Sequence, residues 1–389
     1  IGGATGAIGD PSGRSTERTA LDKEVLDRNV EAIETQIKQI FANGQQYAAK
    51  KRLIHASSSS DLPPIKFVNN HDWLKNMSFL DFMGDVGRLA RVPTMLARDS
   101  VKNRLETDEG LSFTEFTYQL LQAYDFWHLY TNHRCTIQLG GSDQWGNMMA
   151  GTDLIRRKLH LERVEGSGKS GESKSGENDP AIALTLPLVT TATGEKFGKS
   201  AGNAVWLDEG LCSAFDFYQF FRRAPDSEVG RYLQYFTFLG LDEIKVLLAQ
   251  HQVEPQKHLP QRTLAREVTE LVHGEAAALK AQVMSQVLYD DSFHSVTAPE
   301  LLYAFSGNDR LMRMERGQVV GREVWEVVLS TGAVRSERQA KSLQKLGGLY
   351  LNKVRVPPEG RVITTEDLLG GRVCLIRTGK ENYKVLDVQ

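Results

Sequence analysis

The chain has 389 residues, 41% of them hydrophobic and 25% charged, with a formal net charge of −2. Such a length and balance fit two or three globular domains and exclude a fibre or a disordered tail. No run approaches the roughly 18 uninterrupted apolar residues of a membrane helix, so no membrane partner is expected.

The three cysteines, Cys135, Cys212 and Cys374, and the nine histidines are dispersed without metal-ligand spacing. They predict thiols in a reducing compartment and no protein-bound metal. The sequence opens on Ile1 without a Met, so a targeting segment is not observable in it.

Up to about Ala224, short apolar runs alternate with helical patterns, which predicts a parallel α/β sheet. The opening "GGATGAIGDPSGRS" reads as a glycine turn in which Gly2, Gly3 and Gly6 let backbone amides approach a ligand. Asp10 is a lone carboxylate in its Pro-bounded part, suited to an amino group. "IKFVNN" and "CTIQLGG" are strand-like. "FLDFMGDVGRLARVPTML" is apolar enough for a subunit interface, and a buried helix would look the same.

Phe116, Leu120, Leu121 and Tyr124 share one helical face. In "LGGSDQWGN", Gly140 and Gly141 allow a second close approach, while Asp143 and Gln144 suit ribose hydroxyls or a carboxyl group. The stretch "ERVEGSGKSGESKSGENDP" has no apolar side chain after Val164 and predicts a flexible surface insertion.

"GEKFGKS" places Lys196 and Lys199 on a glycine-hinged loop. A P-loop needs five residues from its first glycine to the Gly of Gly-Lys-Ser, and Gly194 to Gly198 is four. The lysines therefore act as reaching side chains, able to swing onto a polyphosphate and stabilise charge building there. Ligands of parallel sheets bind where strands end in loops, which makes these three turns the candidate site.

After Pro225 the character turns helical to about Phe305, with Leu264, Val268, Leu271 and Val272 on one stripe. Residues 306–389 carry 15 Lys and Arg against 10 Asp and Glu, an excess of five, so the remainder of the chain carries −7. A basic end on an acidic body suits a polyanionic partner. In "SERQAKSLQKLGGLYLNKVRV" an amphipathic helix with Arg338, Lys341 and Lys345 on one face stops at Gly347-Gly348, before two strands joined at Asn352-Lys353.

Taken together, "GGATGAIGDPSGRSTER", "FVNNHDW", "MLARDSVKNRLE", "SFTEFTYQLLQAYDF", "QLGGSDQWGN", "KFGKSAGNAVWLD" and "LVHGE" resemble the tyrosyl-tRNA synthetases of the bacterial and mitochondrial type, fungal mitochondrial members among them. The resemblance covers nearly the whole chain. It implies a Rossmann-like parallel-sheet α/β catalytic domain (1–224), an α-helical anticodon-binding domain (225–305) and a small α+β RNA-binding domain (306–389). It also implies activation of L-tyrosine with ATP, Mg2+ accompanying the ATP, and transfer of the tyrosyl group to tRNA(Tyr) by a homodimer. The implied compartment is the mitochondrial matrix, or the cytoplasm for a bacterial protein.

By the same resemblance, Lys196, Lys199 and Ser200 form the mobile signature loop, with Arg14 and Arg18 assisting at the pyrophosphate. Asp125 takes the tyrosine hydroxyl, while Asp10, Tyr118 and Gln122 take the α-amino group. Tyr118, Gln122 and Asp125 are spaced to share a helix face. Asn70 and Gln144 lie near the substrate, and Gly141 and Asp143 meet the adenosine ribose. Arg335, Arg338, Lys341, Lys345 and Lys353 contact RNA.

In the family's pattern a first strand and a "HIGH" helix would precede Ile1, and a chain beginning at Ile1 would expose a sheet edge and apolar surface. Two other readings compete. One is an RNA-binding protein of the kind that some fungal mitochondrial members also provide, binding group I introns in RNA processing; the other is the related tryptophanyl enzyme, which Asp125 disfavours.

Overall fold

A computed structural model describes the chain apart from residues 10–21, 54–63, 107–109, 168–179, 191–196, 198–204, 291–294 and 381. The chain divides into two compact units, one of residues 1–38 and 62–201, the other of residues 39–61 and 202–389.

In the first unit, helices α1 (Gly3–Ile8), α2 (Lys23–Lys50, whose last turns belong to the second unit), α3 (His71–Leu74), α4 (Phe79–Asp85), α5 (Val92–Leu96) and α6 (Asp99–Leu105) precede the long α7 (Phe113–His133). Strand β1 (Ile137–Gly141), helix α8 (Trp145–Ser167) and strand β2 (Ile182–Leu186) follow. The two strands pair in parallel, Ile137 opposite Ile182 and Gly141 opposite Leu186, so β1–α8–β2 is a parallel crossover unit. The fold class is α/β, as the alternation of apolar runs predicts.

Helix α7 is fixed at its start. Ser112 Oγ accepts from the Glu115 amide at 3.2 Å, and Glu115 reaches back to the Ser112 amide at 3.3 Å, a reciprocal cap. The same carboxylate takes Arg104 at 3.0 and 3.2 Å, with both side chains buried. Losing one partner of such a buried pair costs about 3–5 kcal/mol. Farther along, α7 and α8 approach closely at Gly151, where an added Cβ would lie 2.9 Å from the Phe126 ring.

"CTIQLGG" supplies β1, but "IKFVNN" is not a regular strand. Among the described residues its ladder contacts go to Ile1 alone. The Ile1 nitrogen donates to the Val68 carbonyl at 2.6 Å, and its carbonyl accepts from Asn70 at 3.0 Å, the two bonds of a parallel bridge. One bridge does not make a strand. On β1 and β2, Ile137, Leu139, Ile182, Leu184 and Leu186 lie on one face and are all more than half exposed.

The second unit begins with α9 (Ala214–Arg222), α10 (Asp226–Phe236) and α11 (Leu241–Val253). The stripe of Leu264, Val268, Leu271 and Val272 lies on α12 (Leu259–His273), and Gly274, at φ +88°, separates that helix from α13 (Glu275–Tyr289). The end of α2 packs on this pair. The buried Tyr47 hydroxyl bonds Glu267, and Lys50 reaches Glu270 at 2.8 Å and Glu275 at 2.6 Å.

The rest comprises α14 (Ala298–Ala304), β3 (Leu311–Met314), α15 (Arg316–Val319), α16 (Val324–Ser330), α17 (Glu337–Lys345), β4 (Leu349–Leu351), β5 (Val354–Arg355), β6 (Val373–Thr378) and β7 (Asn382–Val388). Its sheet runs β3-β7-β6-β4-β5, antiparallel except for β3 with β7. Strands buried on both faces read as continuous apolar runs, and "VCLI" shows why. Val373 and Leu375 join a core with Val287, Leu301 and Phe305 of the helical segment, whereas Cys374 and Ile376 face a core with Val324, Val327, Val328 and Ala340.

Candidate active site and the basic helix

The site grows from α7. Tyr118, Gln122 and Asp125 stand four and three residues apart on that helix, all half-buried on a common face. Asp125 is gripped from outside the helix: Asn70 Nδ2 donates to Oδ2 at 2.9 Å, and Trp73 Nε1 donates to Oδ1 at 2.8 Å. Burial drives the Asp125 pKa from 3.8 up to about 6, and the two donors pull it only part of the way back.

Asn70 is itself almost fully buried and fully used. Its amide nitrogen also reaches Thr5 Oγ1 at 2.9 Å, and its oxygen accepts from the Ala4 amide at 2.8 Å. Asn69 does the same for Gly3, at 3.1 Å. The expected glycine turn is therefore the helix α1, and two of its orphan N-terminal amides are capped by asparagine side chains instead of facing a ligand. Gly3 is needed for that approach, since an added Cβ would sit 2.3 Å from Asn69 Oδ1.

Gly141 closes β1, and Ser142–Gln144 form a single 3-10 turn leading into α8. Asp143 lies against Gly141, where an added Cβ would be 2.7 Å from its carboxylate, and Gln144 Oε1 accepts from Asn147 at 3.2 Å. Both stand at the carboxyl end of a parallel strand, where ligands of such sheets bind. Asp10, Arg14, Arg18, Lys196, Lys199 and Ser200 lie outside the described residues. Phe197, between the two lysines, has its amide on the Val189 carbonyl at 2.9 Å.

A family model described as tRNA synthetases class I (W and Y) matches residues 1–290. The mitochondrial tyrosine–tRNA ligase of Drosophila melanogaster is 40% identical over 392 residues, covering 99% of this chain and 79% of the relative. The chain belongs to the class I tRNA synthetases, in the tyrosyl group of bacterial and mitochondrial type.

The tyrosine–tRNA ligase of Flavobacterium johnsoniae is 39% identical, covering 100% of this chain and 84% of the relative. Among solved structures, the C-terminally truncated mitochondrial tyrosyl-tRNA synthetase of Aspergillus nidulans superposes with a TM-score of 0.63 at 34% identity, covering 74% of this chain and 75% of that one.

In this synthetase the basic face predicted at the C-terminal end is on α17. Arg338, Lys341 and Lys345 are exposed on it, with exposed Arg335 just before its Ser336 cap. Lys341 is tied to Glu337 at 2.5 Å and lies 4.4 Å from the Trp325 ring centroid. The Gly347-Gly348 stop is a Schellman cap, the Gly348 amide on Leu343 at 2.7 Å and the Gly347 amide on Gln344 at 2.9 Å. Asn352 and Lys353 form the two-residue hairpin, both at positive φ. Lys353 departs from the expectation of a surface contact: it is half-buried, and its ammonium donates to the Asp290 carbonyl.

Trp73 is the site residue that sequence reasoning passed over. It stands at the end of "FVNNHDW", three residues after Asn70, and that spacing within a helical turn was the available signal.

Proposed function

We propose that Asp125 reads the phenol hydroxyl of L-tyrosine in a tyrosine–tRNA ligase that forms tyrosyl-adenylate from ATP and passes it to tRNA(Tyr). The observation that carries this reading is the carboxylate on the common face of Tyr118 and Gln122, held by Asn70 and Trp73 yet with lone pairs left for a further donor. A site built to bond a hydroxyl rejects the analogue without it, because the buried acceptor is then left unpaired; tyrosyl-tRNA synthetases are the standing illustration of that rule. Asp10, Tyr118 and Gln122 would take the α-amino group, with Asn70 and Gln144 close by. Gly141 and Asp143 would meet the ribose.

Catalysis in this reading is positioning and charge stabilisation. Lys196 and Lys199, with Ser200, would draw the pyrophosphate away, Arg14 and Arg18 would assist, and Mg2+ would arrive with the ATP. Residues 1–224 would carry this chemistry, residues 225–305 would approach the anticodon arm, and residues 306–389 would hold RNA through Arg335, Arg338, Lys341 and Lys345. Likeness to Drosophila and Aspergillus mitochondrial enzymes supports the mitochondrial matrix as the compartment, and the Flavobacterium relative leaves the bacterial cytoplasm as its alternative.

The homodimer reading is supported by an apolar face. Phe79, Leu80, Met83, Val92 and Phe113 are 42–80% exposed, and all but Leu80 line an open cavity of about 540 Å3. Contiguous exposed apolar area of this kind marks an interface. A second role on structured RNA such as a group I intron draws support from likeness to a fungal mitochondrial enzyme and from the basic α17 face.

In the full-length enzyme, Lys199→Ala should slow tyrosine-dependent exchange of labelled pyrophosphate into ATP by at least about 100-fold, a typical loss for one transition-state donor, with tyrosine binding nearly unchanged. An undiminished exchange rate would remove the loop from catalysis. Reversing Lys341 and Lys345 to Glu together should weaken tRNA(Tyr) binding and flatten its salt dependence while adenylate formation persists. Equal loss of both activities would count against an RNA role, and a group I intron RNA titrated alongside tests the second role, which fails if only the tRNA binds. Light scattering should give twice the chain mass, and Phe79→Asp with Leu80→Asp should give monomers; a wild-type monomer at micromolar concentration contradicts the dimer.

A further inference from the structure

Trp73 donates one of the two hydrogen bonds that hold Asp125, but an indole tethered only through its N–H can still turn about that bond. The His128 ring lies against its face. The two rings stack with centroids 4.3 Å apart and planes 13° from parallel, a spacing at which aromatic pairs gain beyond simple burial. His128 lies three residues beyond Asp125 on α7, so the helix that carries the carboxylate also carries the surface against which its donor rests.

His128 is in turn positioned on every side. The Asn132 amide sits 3.3 Å from Nδ1 and also bonds the His128 carbonyl at 3.0 Å. The Tyr124 ring is 6.4 Å away on the preceding turn, and the His133 ring, 6.1 Å away, is approached by Lys66 Nζ at 3.0 Å. Burial and the His133 ring both lower the His128 pKa, which favours the uncharged imidazole in the stack.

We propose that His128 is a positioning residue for tyrosine recognition: by clamping the Trp73 indole it keeps the N–H on Asp125 and so holds the carboxylate in the orientation that accepts a phenol. This rests on the reading of Asp125 as the phenol acceptor. No substrate atom need touch His128. Its influence is confined to one end of the ligand, the hydroxyl, and spares the ATP side.

The test is pyrophosphate exchange by the full-length enzyme with L-tyrosine and with L-phenylalanine. His128→Ala should raise the KM for tyrosine about three- to tenfold, the range for one lost aromatic stack, with kcat and the KM for ATP close to wild type. The ratio of kcat/KM for tyrosine over phenylalanine should fall by the same factor, because phenylalanine makes no bond to Asp125. His128→Phe keeps a planar ring and should restore both quantities.

An unchanged tyrosine KM in His128→Ala overturns the proposal. So does a His128→Phe variant as impaired as the alanine one, or a loss shared equally by tyrosine, phenylalanine and ATP. If the alanine variant does not fold, His128→Leu takes its place against the same phenylalanine rescue. Asp125→Ala, run in parallel, separates the two readings. A normal tyrosine KM there removes Asp125 as the acceptor, whereas a loss there without one in His128→Ala removes only the role of His128.

Discussion

A half-buried carboxylate held by neutral donors is poised between two protonation states, and Asp125 is such a group. Burial favours the acid, while the Asn70 amide and the Trp73 indole favour the carboxylate, and the balance comes to rest near pH 6. Because the folded pKa lies above the unfolded one, ionisation of Asp125 costs stability as pH rises from about 4 through 6. That cost is the reverse side of a ready acceptor. A fully solvated carboxylate would gain little from a phenol, and one saturated by strong cations would have no need of it.

Much of the first unit can be understood as the means of holding that group. The Ser112–Glu115 cap and the buried Arg104 fix where α7 begins, and the close approach at Gly151 fixes where it lies against α8. The asparagine pair at 69 and 70 ties the start of α1 to the same point, so one side chain, Asn70, serves both a helix amide and the carboxylate. A substitution there would disturb the start of α1 and the hold on Asp125 together.

The parts legible in the sequence were those with a strong local signal. The three residues on α7 are spaced by the helical period, the C-terminal hairpin needs two residues at positive φ, and the glycine pair after α17 stops a helix; each follows from short-range sterics. The parts that escaped depend on partners distant in sequence. "IKFVNN" has strand composition but only Ile1 to pair with among the described residues, and the opening glycines form a helix because Asn69 and Asn70, more than 60 residues away, cap its amides. Lys353 turns inward because the Asp290 carbonyl stands within reach. The Trp73 bond to Asp125 had the spacing from Asn70 as its signal, whereas the stack of Trp73 on His128 joins rings distant in sequence and no spacing rule announces it.

The central claim is that tyrosine binds to the ionised form of Asp125, and its most direct measurement is the dissociation constant of L-tyrosine from pH 5 to 8 in wild type and in Asp125→Asn. The wild-type affinity should be level above about pH 6.5 and weaken as pH falls through 6, following the raised pKa of Asp125, while the variant binds weakly with no such step. A wild-type affinity flat across that range, or the same step in both proteins, would contradict the account.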